Sequence, residues 1–331
     1  MNKNEIVELF KNFNKLNVLI IGDVMIDAYY FGKVDRISPE APVPIVSVNG
    51  KENRLGGAAN VALNIKALGA NPILCSVVGN DREADKFNDL LLEENLSVEG
   101  ILRSDERITT VKTRIIGNKN QVLRVDSEKD APLSNEELEA LKIKLESLIS
   151  DNKIDVVVFQ DYDKGVITPS LIDFVVAICD KNNIPTAVDP KKRNFADFKN
   201  VTLFKPNLKE LKEGLNIEIN PAKSKEVESA IDSLKKQLNN KITFITLSEY
   251  GVFIKDNSTK KQIPAHIRSI SDVSGAGDTV ISVASLCLAL NQPIYMIAEI
   301  ANLAGGLVCE SVGVVPIDKD QLLSEAISNL I

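Results

Sequence analysis

The chain has no tryptophan, a single histidine and four cysteines among 331 residues. His266 has no partner of its kind, so two-histidine metal sites and histidine-based nucleophilic triads are hard to build. Cys75, Cys179, Cys287 and Cys309 are widely spaced, and each lies in an apolar stretch. Free buried thiols are expected there, rather than a disulfide framework or a zinc site. No apolar run reaches membrane-spanning length, so no membrane partner is expected. Met1 to Leu16 mixes acids with bases and lacks a long apolar core, which is unlike a signal peptide. A reducing cytoplasm is the expected compartment. Blocks of one charge sign are lacking too: the net charge of -7 is spread along the chain. That argues against nonspecific nucleic-acid binding and leaves room for a local basic pocket. Three nucleotide signatures are absent. No Gly-x-x-x-x-Gly-Lys-Ser/Thr occurs, no Gly-x-Gly-x-x-Gly follows the first strand, and the protein-kinase motif set is missing.

What is present is an ordinary globular balance, 44% apolar and 26% charged, in a chain long enough to bury a sizeable core. Met1 to Lys15 reads as an amphipathic helix with Ile6, Leu9, Phe10 and Phe13 on one stripe. Val18 to Ile21 is a buried strand ending at Gly22-Asp23, with Asp27 four residues on. Open parallel sheets bind ligands at the carboxyl ends of their strands, so both acids are candidates for sugar hydroxyls. An Asp-rich turn is the competing reading of Asp23. Tyr29 to Asn53, with Pro39, Pro42 and Pro44, reads as strands that leave the main sheet. Gly56-Gly57 opens a helix to Leu68, and Asn60 lies one turn in. Ile73 to Val78 is a strand and Arg82 to Glu94 a helix. Thr109 to Ile116 and Gln121 to Asp126 read as a hairpin around Gly117-Asn118-Lys119-Asn120. Lys112, Arg114 and Arg124 alternate on it, either as a solvated face or as cations aimed at an anionic substrate.

From Ser134 the pattern is repeated α/β. Helices are expected at 134–150, 168–182, 224–238, 294–310 and 319–331, and strands at 156–160, 186–189, 201–204 and 242–247, with an outer hairpin over 251–263. Strands alternating with helices predict a mostly parallel sheet covered on both faces, a three-layer αβα sandwich. The two inserted β regions, about 29–54 and 107–126, are expected to pair as a small β-sheet lid on one domain spanning 1–331.

The chain's organising stretch is Asp272-Val273-Ser274-Gly275-Ala276-Gly277-Asp278-Thr279, followed at once by the apolar run Val280 to Leu290. A Gly-rich turn opening a buried helix exposes N–H groups suited to an anion such as phosphate. Asp278 sits in the first helical turn beside them. A carboxylate there binds phosphate poorly but can take the proton of an attacking hydroxyl. An acid complementing the helix dipole is the other reading of that residue alone.

These residues resemble the ribokinase-like, or PfkB, family of carbohydrate kinases. Its first signature is matched by Gly56-Gly57-Ala58-Ala59-Asn60-Val61-Ala62 with Gly69 and Gly79, and its second by Asp272 to Asp278. Val283 departs from the usual Gly or Ala. Within the family the chain is most similar to the heptose 7-phosphate kinases of lipopolysaccharide-precursor synthesis. Gly22 to Asp27, Arg36-Ile37-Ser38-Pro39-Glu40-Ala41-Pro42-Val43-Pro44, Asp161-Tyr162-Asp163-Lys164-Gly165, Asp189-Pro190-Lys191 and Pro206 to Glu210 carry that similarity. A nucleotidyltransferase domain found in many relatives needs two histidines and is not expected in this chain.

The resemblance implies a role for each matched position. Asp278 is the general base, and the N–H groups of Gly275, Ala276 and Gly277 form the anion hole. Asp27 is the sugar-binding acid, joined by Gly56, Gly57 and Asn60. Asn207 and Glu210, with Leu208 and Lys209 between them, arrange Mg2+ and phosphates through water. Thr246, Ser248, Gly251 and Asn302 border ATP; Ser248 replaces a common Gly. Asp272 and Gly313 match a frequent monovalent-cation position, which implies K+. Asp161 belongs to the substrate-side motif. A substrate that already carries a phosphate needs cations, and Arg36, Lys112, Arg124, Lys164 and Lys191 are candidates, each also readable as an ordinary surface charge. The implied reaction is ATP-dependent phosphorylation of the anomeric hydroxyl of D-glycero-D-manno-heptose 7-phosphate, giving the 1,7-bisphosphate, by a homodimer joined through the lid. A kinase for another sugar phosphate, or a silent sugar or nucleotide sensor on the same fold, remains open; a dinucleotide oxidoreductase lacks its fingerprint.

Overall fold

The computed structural model describes residues 2–266, 268–311 and 313–331. Asn2 caps helix α1 (Lys3–Phe13) in a reciprocal box with Glu5, and the stripe Ile6, Leu9, Phe10 and Phe13 is buried. Met1 of the expected helix lies outside the described residues. Strand β1 (Asn17–Gly22) then enters the centre of the molecule. The chain leaves that sheet at Asp23 and runs into a long hairpin, β2 (Val24–Ile37) and β3 (Pro44–Gly57). It returns through α2 (Ala58–Ala67), β4 (Asn71–Gly79), α3 (Arg82–Glu93) and β5 (Ile101–Ser104), and goes out again as β6 (Val111–Gly117) and β7 (Asn120–Ser127). Next come α4 (Asn135–Asp151), β8 (Val156–Gln160), α5 (Pro169–Lys181), β9 (Thr186–Asp189), β10 (Leu203–Phe204), α6 (Leu208–Leu215), α7 (Ser224–Leu238) and β11 (Ile242–Thr246). The hairpin β12 (Val252–Lys255) and β13 (Lys260–Ile263) precedes α8 (Ala276–Ala289), α9 (Ile294–Val308) and α10 (Lys319–Leu330).

The main sheet has nine strands in the order β13-β12-β11-β10-β9-β8-β1-β4-β5. It is parallel from β11 through to β5, and β12 and β13 are antiparallel at one edge. Side chains alternate across a strand, and the sheet uses both faces. Val18 and Ile20 of β1 join one apolar core with α1, α2, α8 and α9. Leu19 and Ile21 join the other with α4, α5 and α7. The αβα layering follows from those uninterrupted apolar strands. Helix α8 is apolar almost all round because it lies between α2 and α9 against the sheet.

The second sheet has four strands in the order β3-β2-β6-β7. The two inserted β regions pair with each other as expected, through a parallel β2–β6 contact. Its strands begin earlier than Tyr29, because β2 follows almost directly on β1. Cross-strand register puts Asp27, Tyr29, Lys112, Arg114, Arg124 and Asp126 on one face. Tyr30, Ile115 and Leu123 fall on the other.

Two elements differ from expectation. Strand β5 is four residues long, too short to show a period. Helix α6 goes beyond the expected elements, because Asn207 to Glu210 match a chemical motif that does not by itself signal a helix start. They are also a reciprocal cap: Asn207 Oδ1 accepts the Glu210 N–H and Glu210 Oε2 accepts the Asn207 N–H, both at 2.8 Å.

Candidate active site

The carboxyl ends of β1, β8, β9, β10 and β11 converge where α8 begins. Gly275 precedes α8 with φ 81°, a left-handed conformation that disfavours a side chain. This bend turns the first N–H groups of the helix toward the strand ends, where they have no intrahelical acceptor. The Ala276 N–H differs from the expectation in part, since it makes a long bond of 3.3 Å to the Val273 carbonyl.

Asp278 is 5% exposed and takes donors from three separate elements. Asn60 Nδ2 of α2 donates to Oδ2 at 2.6 Å. Gln160 Nε2, at the end of β8, donates to Oδ1 at 3.1 Å, and the Tyr162 hydroxyl donates to Oδ1 at 2.8 Å. Burial pushes this carboxyl up to about 6, and Asp189 adds to the rise, while the Asn60 and Tyr162 hydrogen bonds and the Lys191 charge oppose it. An ionisable acid poised near neutrality in a strand-end cleft is suited to proton transfer.

Behind the glycine turn lies a pair that sequence reasoning missed. Lys205 is 2% exposed, and its Nζ is 3.1 Å from Asp189 Oδ2. Both would be in van der Waals range of a Cβ at Gly277. Lys191 continues the chain of charges, 3.7 Å from Asp189 and in direct contact with Glu210. Lys191 is thus engaged by two acids rather than standing free. The missed signal was Lys205-Pro206 directly after an apolar strand, a place where a lysine has no solvated face to occupy.

Where the second sheet meets the site, Asp27 of β2 is buried and bonded to Arg114. Gly56 pairs against Met25 on β2, and a Cβ there would overlap the Asp27 carboxylate. Gly57 and Asn60 carry the chain from β3 into α2 beside it. Arg54 and Arg114 approach one ring, Tyr29, with 4.9 and 5.3 Å to its centroid. Neither arginine stood among the candidate phosphate ligands, although Arg114 lay in the alternating pattern that suggested them.

Asp23 and Asp161 hold structure. Asp23 accepts the backbone N–H groups of Tyr162, Lys164 and Val166 at 2.8, 3.1 and 3.0 Å. Burial raises its carboxyl. Asp161 accepts from Asp163 N–H and Asn194, and burial beside Asp23 pushes it to about 7. The Asp-rich turn is therefore the reading that the geometry of Asp23 favours, and both of its oxygens are engaged by the loop.

The remaining cations are partly neutralised by acids on and beside the second sheet. Lys112 and Lys164 share Glu128 at 3.0 and 2.8 Å, and Lys112 also meets Asp126 at 3.0 Å. Arg124 forks onto Asp126 through Nε and Nη2 at 2.9 and 3.0 Å. Arg36 lies further out on β2, on the exposed part of the strand. At the end of β11, Thr246 pairs with Asn207, and on α9 Asn302 donates to the Pro264 carbonyl at 2.9 Å. Ser248 has φ 53°, which explains why glycine suits that position, and Gly251 has φ 80°. Leu208 packs on the second core, while the Lys209 side chain is 82% exposed beside Glu213. Asp272 accepts the Ser274 and Gly313 N–H groups at 2.9 and 3.0 Å, which holds its carboxyl below the usual range against the opposing effect of burial.

Comparison with known protein families matches residues 15–320 to the pfkB family carbohydrate kinase. The chain belongs to that family. With the family comes the reaction class: this carbohydrate kinase transfers phosphate from ATP to a sugar. Among individual relatives, the bifunctional protein HldE of Methylobacillus flagellatus is 37% identical over 93% of the chain, and that of Wolinella succinogenes 38% identical over 89%. The kinase spans 62% and 61% of those relatives' own lengths. Two solved structures share its fold. Phosphofructokinase-2 from Escherichia coli, in complex with potassium, aligns with a TM-score of 0.78 at 18% identity, over 95% of this kinase and 99% of that chain. Arabidopsis thaliana ribokinase, complexed with ribose and ATP, gives 0.71 at 16% identity, over 93% and 98%.

Proposed function

We propose that the kinase phosphorylates the anomeric hydroxyl of D-glycero-D-manno-heptose 7-phosphate, giving the 1,7-bisphosphate for lipopolysaccharide-core precursors. The observation that carries the chemistry is Asp278, a buried carboxylate held by three donors beside the glycine turn of α8. The HldE relatives support the heptose as substrate. Asp278 takes the proton of the acceptor hydroxyl. An anomeric hydroxyl is more acidic than an ordinary alcohol, so a carboxylate of this strength is an adequate base. The N–H groups of Gly275 and Gly277, joined by Ala276 when it gives up its long bond, stabilise the transferring phosphoryl group. Lys205 adds a fixed positive charge behind them.

Asp27, Gly56, Gly57 and Asn60 orient the sugar. The face of the second sheet that carries Arg114, Arg124 and Lys112 supplies cations for the 7-phosphate, with Arg36 and Lys164 at its borders, while Lys191 lies apart from it beside Tyr162. In this reading the sheet is a lid that excludes water from the transfer. Its opposite face exposes Leu123 and Val125, at 56% and 51%, and supports a homodimer joined lid to lid.

The residues present fit magnesium in the manner of nucleotide sites. Among the described residues no cluster of three His, Cys, Asp or Glu side chains forms a cage, and Mg2+ commonly keeps water and substrate phosphates as most of its ligands. Glu210, bonded to Asn207 and Lys191, would reach the ion through water; when bound, the ion neutralises the nucleotide phosphates. Asp272 and Gly313 border the place for K+. Thr246, Ser248, Gly251 and Asn302 line the path of the nucleotide. The four free thiols accord with a cytoplasmic setting. Among the described residues no helix is long and apolar enough to cross a membrane.

The test is ADP release with ATP and magnesium against heptose 7-phosphate, ribose, fructose 6-phosphate and sedoheptulose 7-phosphate. Turnover confined to the heptose phosphate supports the proposal. Faster turnover on another sugar moves the substrate assignment.

A further inference from the structure

A carboxylate offers two lone pairs on each oxygen. On Asp278, Oδ1 receives both the Tyr162 hydroxyl and the Gln160 amide. Oδ2 receives the Asn60 amide alone among the described residues. The lone pair left for a proton is therefore on Oδ2, the oxygen that faces Asn60 and the sugar side.

Tyr162 is itself fixed from below. Its N–H donates to Asp23, and the same buried acid holds the N–H groups of Lys164 and Val166. Asp23 stands where the chain turns from β1 into the lid. One carboxylate thus ties the 162–166 loop to the junction of the two sheets. The Lys191 ammonium lies 5.6 Å from the Tyr162 ring centroid. The other charged groups near the base are Asp189 and Lys205 at the ends of β9 and β10, Glu210 of α6, and Asp27 of β2 with its partner Arg114. Burial and the surrounding carboxylates push the Tyr162 hydroxyl well above its ordinary range, so it keeps its proton and remains a donor.

We propose that Tyr162 is a positioning residue for phosphoryl transfer, turning Asp278 so that Oδ2 accepts the proton, and that Asp23 holds Tyr162 in place. This rests on Asp278 being the general base. In the step, the acceptor O–H bond breaks and its proton moves to Oδ2. The acceptor oxygen forms a bond to the γ-phosphorus. The bond from that phosphorus to the bridging oxygen breaks, and ADP leaves with the electron pair. Tyr162 gives up nothing; its hydrogen bond favours the ionised base over the protonated one.

The experiment is the pH dependence of kcat/KM for the sugar, compared between variants so that substrate titration is common to all. Tyr162→Phe should move the acid limb up by about 1 unit, the size expected for one lost hydrogen bond to a charged group. Site-specific 3-fluorotyrosine at 162, a stronger donor of the same shape, should move it down. A role confined to packing would not shift the limb in opposite directions. An acid limb unmoved in the fluorotyrosine protein overturns the proposal, and it does so even where the phenylalanine variant fails to fold. Asp278→Asn is assayed in parallel. If it is inactive while the limb stays fixed, only the role of Tyr162 falls; if it retains turnover, the base assignment falls and this proposal with it.

Discussion

Replacing Asp278 by asparagine keeps the shape of the side chain and removes its charge. Burial raises the wild-type carboxyl from its ordinary 3.8 to about 6. A rise of that size weighs about 3 kcal/mol against the ionised form. The folded carboxyl holds its proton more tightly than the unfolded one. Stability from this group is therefore present at low pH and is lost as pH rises from 3.8 through about 6. Above pH 6 the loss is complete. Asp278→Asn should then stabilise the protein near pH 8 by up to about 3 kcal/mol. The new amide turns an N–H toward one of the present donors, which reduces the gain by about 1–3 kcal/mol. The gain should shrink on moving to pH 5, where the wild-type group is mostly protonated. Activity moves the other way: with Asp278 as the proposed general base, its loss should lower kcat by about 10²–10⁴. Urea denaturation at both pH values and a coupled ADP-release assay measure the two effects. A stability difference that does not change with pH, or a kcat within a few-fold of wild type, refutes the reasoning.

Three further outcomes are expected. Gly56→Ala puts a methyl group into the Asp27 carboxylate and should raise the KM for the sugar at least tenfold with little change for ATP, by steady-state kinetics. Arg124→Ala should raise the KM for the sugar phosphate far more than that for ATP; equal effects on both would remove Arg124 from the phosphate site. Lys205→Met leaves Asp189 buried with a weakened counter-charge and should destabilise the fold by about 3–5 kcal/mol, read as a fall in the urea midpoint.

The architecture was largely legible because its signals are periodic. Val18 to Ile21 and Val156 to Gln160 are uninterrupted apolar runs, and such strands need helices on both faces. The prolines and alternation of Tyr29 to Asn53 marked strands outside the main sheet, although β2 already begins at Val24. The glycine turn before α8 was legible because glycines directly before a long apolar run permit close backbone approach at a helix start, where free N–H groups suit an anion. The partners of Asp278 were not. Asn60, Gln160 and Tyr162 come from three elements separated by over a hundred residues at the extremes, and only the sheet order brings them together. Glu210 shows the opposite failure, since a motif read for chemistry hid the start of α6. The cations of the second sheet were visible as an alternating pattern, but their pairing with Asp126 and Glu128 depends on register, which a one-residue slip would reverse.

The most direct test of the account is the position of the new phosphate. Incubation of the kinase with ATP, magnesium and D-glycero-D-manno-heptose 7-phosphate should give a product whose added phosphorus signal, by ³¹P NMR, couples to the anomeric proton. A phosphate added at any other carbon, or ADP release with no phosphorylated heptose formed, would contradict it.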